Sequence, residues 1–310
     1  MTDEIHYTIH RNMVFLLTAS TIVLIISRIL ILSFQFPPII EATRDVDFTI
    51  LLRQLKNGLF DFYKTVPLPE GVPDWPPYYL YFWYFIFFPF GLLDPLISML
   101  IWDILRLATT AYVAYKALNM ITYRIDLLAF YLFIYLGFLL DAWYNNCNFL
   151  LMFFLYLSYT FLEKDKKWAS GIFFALSTVK INSILFLPAL LIVKKIKLKE
   201  VVYYLIPFGI LFLPYVIFPD FLLQMLSNWA NSTPGIQGIT PLDSILWKAV
   251  QPSHFLFLSI ILMTILEGII KEKRHKQVRK IIYASIAIFY LYITIVVWII
   301  PLFTEYLSYL

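Results

Sequence analysis

Asp45 and Asp47 follow Arg44 and stand at the start of a segment with helical periodicity. Over roughly 45–63, Phe48, Leu51, Leu52, Leu55, Leu59 and Phe62 fall on one face, and Arg53, Gln54, Lys56 and Asn57 on the other. That pattern predicts an amphipathic helix lying at a membrane interface, weakened or kinked at Gly58. An aspartate at a helix start caps it well. Capping accounts for one of the pair. Two carboxylates beside a cation also suit a general base that takes a proton from a hydroxyl. Lys180 is a second reactive group, far from the basic clusters on either side of it. Its ammonium could hold a phosphate, or it could snorkel to lipid headgroups.

Other polar residues interrupt apolar runs. Asp103 and Arg106 are at i,i+3 inside one such run. They read either as a self-neutralising pair or as part of a site, since charge in lipid is costly and usually points inward. Asp141-Ala142-Trp143-Tyr144-Asn145-Asn146-Cys147-Asn148 is a polar stretch between two apolar ones. It is either a plain turn or a set of hydrogen-bonding groups for a sugar. Asp74-Trp75-Pro76-Pro77-Tyr78-Tyr79-Leu80 joins paired prolines, which stiffen the chain, to aromatics that favour the headgroup level. His6 and His10 are at i,i+4 without a third ligand nearby, and Cys147 is the one cysteine, so no metal cluster or disulfide framework is expected.

The elements that position these groups must lie in a bilayer. Of 310 residues, 61% are apolar and 14% charged, with a mean hydropathy of +0.78. A soluble fold cannot hide that surface. The composition excludes a soluble domain, a disordered chain and, with a net charge of only +4, a nucleic-acid binder. Apolar runs long enough to span occupy 12–35, 77–93, 96–116, 125–141, 147–163, 201–218, 252–269 and 281–301. The run 168–194 is interrupted by Ser177, Thr178, Lys180 and Asn182, and is expected to form two shorter helices meeting at that polar step. The run 12–35 is too long for a signal peptide.

Lysine and arginine clusters at 164–167, 194–199 and 271–280 are expected to be cytoplasmic. That puts the N-terminus inside and the stretches 36–75, 141–148, 177–182 and 219–251 outside. Parity requires 77–93, which holds Pro77 and Pro89, to be re-entrant or broken, or else a later run not to cross. The expected architecture is all-α. It is one polytopic membrane domain over 1–310 with about nine or ten membrane segments and two large external loops, 36–75 and 219–251.

The order of these features resembles the GT-C superfamily of integral-membrane glycosyltransferases, and most closely family 87, which includes polyprenol-phosphate-mannose-dependent α-mannosyltransferases. The matching residues are Asp47-Phe48, Trp75-Pro76-Pro77, Asn145-Asn146-Cys147-Asn148, Ala169-Ser170-Gly171, Lys180 and Pro188, over roughly residues 40–195. The glycine and glutamine usual in the third motif are absent here.

The resemblance implies sugar transfer from a polyprenyl-phosphate donor to a lipid-linked or glycan acceptor at the extracytoplasmic face of the cell membrane. It implies inversion at the anomeric carbon and no metal or cofactor. Asp47 would be the base, with Asp45 as substitute. Lys180 would hold the donor phosphate, helped by Arg53 or Lys56. Asn145 and Asn148 would contact sugar or acceptor, and Trp75 completes the substrate-binding set. Two other classes compete. A transporter or lipid flippase would need charged residues along a path through the bilayer. A non-catalytic membrane subunit would tolerate loss of Asp45, Asp47 and Lys180 together.

Overall fold

The structure, a computed structural model, describes residues 3–34, 48, 55, 57–64, 79–118, 124–143, 145–231 and 255–270. Among these residues every regular element is helical. The chain begins with α1 (Asp3–Phe34), followed by α2 (Trp83–Gly91), α3 (Pro95–Leu118) and α4 (Arg124–Trp143). Next come α5 (Asn148–Glu163), α6 (Lys167–Ser177), a 3-10 turn at Ile181–Leu185 and α7 (Phe186–Ile192). A second 3-10 turn at Leu198–Glu200 precedes α8 (Val202–Leu211), α9 (Leu213–Ile217), α10 (Pro219–Asn231) and α11 (Phe255–Ile270).

Two stretches, His10–Ser27 in α1 and Pro95–Ala117 in α3, are long and apolar enough to cross a membrane. Shorter apolar stretches occupy Ala129–Ala142, Asn148–Glu163 and Ser183–Ile192. Outward-facing side chains such as Phe15, Val23, Val216 and Ile217 are large, apolar and exposed. In water such a surface would drive association; against acyl chains it is the matching face.

α5 sits at the centre and packs on α3, α4, α6 and α11. Its buried residues, Asn148, Phe149, Leu151, Met152, Leu155, Tyr156, Ser158, Tyr159 and Leu162, point to more than one side, as a central helix requires. α1 packs on α3 and α4, and α11 closes over α4, α5 and α7. α5, α6 and α8 lie side by side. They approach closely because small residues meet there. The Ser158 hydroxyl donates to the Ser170 carbonyl at 2.8 Å, and Ser170 shares a hydrogen bond with Tyr204 at 2.9 Å. A Cβ on Gly171 would collide with the Tyr203 carbonyl, 2.7 Å from its carbon.

Three helices end in the same device. Asn145, Asp165 and Lys194 have φ of 49°, 55° and 57°. After each of them a backbone N–H reaches back five residues: Asn146 to Asp141, Lys166 to Phe161 and Lys195 to Leu190. These are Schellman turns, in which a left-handed residue lets the chain reverse while the last helical carbonyls stay paired. Asparagine and aspartate tolerate that conformation best among non-glycine residues.

The broken run 168–194 is observed as expected, with α6 ending at Ser177 and a new helical turn starting at Ile181. Two expectations are corrected. The run 201–218 is not one unbroken helix: it divides at Phe212, between Pro207 inside α8 and Pro214 at the start of α9. Among the described residues 79–93 the α-helical part is the nine residues of α2, about 14 Å of rise and half a bilayer core, in keeping with the re-entrant or broken segment that parity allows there. The helix predicted over 45–63 does not reach its end. Phe48 and Leu55 are helical, but 57–64 are turns, beginning at Gly58 with φ of 82°. The loop at 219–251 opens with a helix, α10. The run 281–301 and the basic stretch 271–280 lie outside the described residues.

Candidate active site

The Schellman turn that ends α4 leads directly into α5, and the polar residues of that junction are all buried. Asp141, Asn145 and Asn148 have no exposed surface, and Asn146 is 2% exposed. Arg106, reaching from α3, is 1% exposed and organises them. Its Nε donates to Asp141 Oδ2 at 2.9 Å and its Nη1 to Asp103 Oδ1 at 2.5 Å. Its Nη2 donates to Asn145 Oδ1 at 2.6 Å and to the Asn146 carbonyl at 3.3 Å. Only the planar fork of arginine can serve four acceptors in this way. The other carboxylate oxygen of Asp141 accepts from the Asn148 N–H at 3.0 Å. That places its negative charge on the N-terminus of α5, where the helix dipole favours it.

Lys180 approaches the same junction from the break between α6 and the following 3-10 turn. Its ammonium donates to Asn146 Oδ1 at 2.5 Å and lies 6.0 Å from the centre of the Tyr79 ring. Two acids, Asp103 and Asp141, thus stand against two cations, Arg106 and Lys180. Among the described residues these formal charges balance, and opposite charges set together are the condition for keeping charge inside an apolar bundle. Arg106 serves four acceptors, and Lys180 is buried beside it at 9% exposure.

Trp102 ties this cluster to the first loop. Its indole N–H donates to the Asn146 carbonyl at 3.2 Å. Its ring stacks on Phe48 with centroids 4.5 Å apart, and Phe149 meets it edge-on at 4.9 Å. Tyr79 is held in turn. Its carbonyl accepts from the Tyr63 hydroxyl at 2.7 Å, and Tyr63 shares a 2.6 Å hydrogen bond with Tyr215 of α9. Burial and this contact raise the Tyr63 pKa well above that of a free phenol.

Of the residues singled out from the sequence, Lys180, Asn145 and Asn148 meet in one cluster. Asp45, Asp47, Arg53, Lys56 and Trp75 lie outside the described residues. Phe48 and Tyr79, from the first two motifs, both border the cluster. Asp103 and Arg106 are more than a self-neutralising pair, because Arg106 also binds Asp141 across the helix interface. Sequence reasoning missed Trp102, and it named Asn146 only as part of the polar stretch 141–148, without a role of its own. A signal for Trp102 existed: it stands at i,i+4 from Arg106, so both side chains share one face of α3.

Among the described residues, an all-helical bundle with two apolar helices of membrane length and a buried polar cluster at a helix junction fits a membrane protein. The model of Glycosyltransferase family 87 matches residues 78–306. The chain belongs to that family and is a glycosyltransferase, which needs a sugar donor and an acceptor. The match starts beyond Asp45, Asp47, Arg53, Lys56 and Trp75 and includes Asn145, Asn148 and Lys180. It runs far past the expected limit near 195. No curated protein and no solved structure matches the chain.

Proposed function

We propose that this glycosyltransferase moves a hexose, with mannose the first candidate, from a polyprenyl-phosphate donor to a lipid-linked or glycan acceptor. Transfer takes place at the extracytoplasmic face of a multi-pass membrane domain. The observation that carries the reading is convergence. Phe48, which follows Asp47, Tyr79, which follows the paired prolines, the Asn145–Asn148 junction and Lys180 come from four separate stretches and surround one cluster.

Orientation supports the same reading. Lys195 pairs with Glu163 and Lys167 with Glu200, so the basic loops gather at one end of α5. The Lys180 cluster lies at the other end, and the sixteen residues of α5 rise about 24 Å between them. With the basic end cytoplasmic, the cluster faces the outer half of the membrane. Its charges are gathered at one junction rather than strung along a path, which favours an enzyme over a transporter.

In the proposed reaction the Asp47 carboxylate takes the proton of an acceptor hydroxyl. The oxygen attacks the anomeric carbon from the side opposite the phosphate. The carbon–oxygen bond to phosphate breaks, and polyprenyl phosphate leaves with the electron pair. The Lys180 ammonium stabilises the charge that develops on the phosphate, an effect strengthened by the low dielectric around it. Arg53 and Lys56 assist it, Asp45 is the substitute base, and Trp75 offers an aromatic face to the substrate. Asn145 and Asn148 contact the sugar or the acceptor.

The test is transfer from radiolabelled polyprenyl-phosphate mannose to a membrane extract in proteoliposomes. Asp47→Asn should lower transfer by about 10²–10⁴-fold, the usual contribution of a general base, with the melting temperature unchanged. Asp45→Asn should keep most of it. Equal transfer by Asp47→Asn and wild type rejects Asp47 and turns attention to Asp45 and Asp74.

A further inference from the structure

We infer that the basic end of the bundle is a docking platform for anionic phospholipid headgroups. The inference does not depend on the donor, the acceptor or the base proposed above. Two short loops build the platform, one between α5 and α6 and the other between α7 and α8. Across 163–167 and 194–200 seven lysines stand against three acids.

The acids are used within the platform. Glu163 Oε1 accepts from Lys195 Nζ at 2.7 Å. Glu200 Oε1 accepts from Lys167 Nζ at 2.8 Å, and its Oε2 accepts from the Lys197 N–H at 2.8 Å, which closes the 3-10 turn. Asp165 Oδ1 stands 3.4 Å from the same Lys167. The first two pairs each join one loop to the other, so the loops present a single surface. As solvated pairs they add little stability; what they supply is the join. The left-handed residues Asp165 and Lys194 set the path of each loop.

Lys164, Lys166, Lys194, Lys197 and Lys199 are all exposed. Among the described residues none of these five is in an ion pair. Lys164 lies 6.0 Å from the centre of the Phe161 ring, a contact that cancels no charge. The platform therefore turns its cations outward and keeps its acids for itself.

Large apolar side chains stand among these cations. Leu198, between Lys197 and Lys199, is 78% exposed, Ile192 74% and Trp168 52%. A soluble anion offers them nothing. A layer in which charged headgroups adjoin acyl chains matches both kinds of side chain at once. Tryptophan favours that level, and lysine lays its stem on apolar surface while its ammonium stays in water. The partner is thus a phospholipid whose phosphodiester headgroup carries net negative charge, in the leaflet at this end of α5.

The experiment uses the full chain in detergent and reads the lipid concentration that gives half of the thermal protection. Phosphatidylglycerol is the probe, and phosphatidylcholine with the same acyl chains is the neutral comparison. Wild type should need at least about tenfold less phosphatidylglycerol than phosphatidylcholine. Lys197→Gln combined with Lys199→Gln should remove most of that gap, at about fivefold per lysine, with the lipid-free melting temperature unchanged. Should that pair fail to accumulate, Lys164→Gln with Lys166→Gln on the other loop replaces it, with the same expectation. Leu198→Ser should weaken protection by both lipids and leave the gap.

A wild type that does not distinguish the two lipids overturns the inference. So does a gap that survives the lysine substitutions, because the anionic lipid then binds elsewhere on the bundle. Protection by glycerol phosphate at the concentrations where phosphatidylglycerol acts also overturns it, since the site would then take a soluble anion. None of these outcomes bears on Asp47 or Lys180, so the reading of the reaction stands or falls separately.

Discussion

The two ends of α5 are built from the same parts and differ in where water can reach. At its start stand Asn145 in a left-handed turn, two acids and two cations. At its end stand Asp165 in a left-handed turn, with Glu163 and Glu200 facing Lys195 and Lys167. In the first cluster Arg106, Asp103 and Asp141 have side chains 1% exposed or less. In the second, Asp165 is 87% exposed and Lys167 32%. A solvated ion pair gains little, because water already satisfies both partners. A buried one costs its full desolvation and is kept only with good geometry, or where it serves a purpose beyond stability. The basic end is thus an ordinary solvated cap. The other end is a costly arrangement, and that cost is the physical reason to look for function there.

The sharpest way to break the comparison is to remove the guanidinium. Arg106→Met leaves Asp103 and Asp141 buried together without their main partner. Removing one member of a buried pair typically costs about 3–5 kcal/mol, and here one side chain serves both acids. The expected outcome is a large drop in melting temperature in detergent, or failure to accumulate. Arg106→Lys keeps the charge but not the fork, and should fall between Arg106→Met and wild type. A melting temperature for Arg106→Met equal to wild type would remove the claim that this end is the expensive one.

A smaller effect is expected midway between the two ends. Gly171 lies where α6 meets α8, and a methyl group there would strike the backbone of Tyr203 rather than a movable side chain. Gly171→Ala must push α8 outward and stretch the Ser170–Tyr204 hydrogen bond. Overpacking of this kind costs about 1–3 kcal/mol, less than Arg106→Met. The melting temperature should fall accordingly. An unchanged melting temperature would show that the helices have room to separate.

How much of this was legible in the sequence follows from what sequence patterns record. The polar step at Ser177–Asn182 was readable, because four polar residues inside an apolar run have no place mid-helix in lipid. The division of 201–218 was harder to see, since its residues are apolar throughout and Pro207 is accommodated inside α8. The helical period over 45–63 placed Phe48, Leu55 and Phe62 inside, and all three are buried. It could not show that the chain turns at Gly58 and that Phe62 arrives there from a non-helical segment. Lys180 and Asn145 stood out by charge and polarity. Trp102 and Asn146 did not, because their roles are set by which carbonyl faces which donor across helices α3 and α4. No spacing within one segment contains that information.

The smallest effect tests the solvated end. Lys167 donates to Glu200 at 2.8 Å, and this contact holds the Glu200 carboxyl below its ordinary value of 4.5. A carboxylate with a lowered folded pKa contributes stability above the unfolded value. That contribution is lost as pH falls through the folded one. The pair should therefore act at neutral pH and vanish in acid, below the ordinary carboxylate range. Because the pair keeps contact with water, at 32% and 15% exposure, Glu200→Gln should shift the neutral-pH melting temperature less than Gly171→Ala does, and the mutant and wild-type curves should merge on acidification. High salt should shrink the difference further, since exposed charges are screened over about 10 Å at 0.1 M. A Glu200→Gln loss rivalling that of Arg106→Met, and insensitive to salt, would mean that the two ends of α5 are alike after all. Burial would then no longer single out the Arg106 cluster as the place where stability is given up for chemistry.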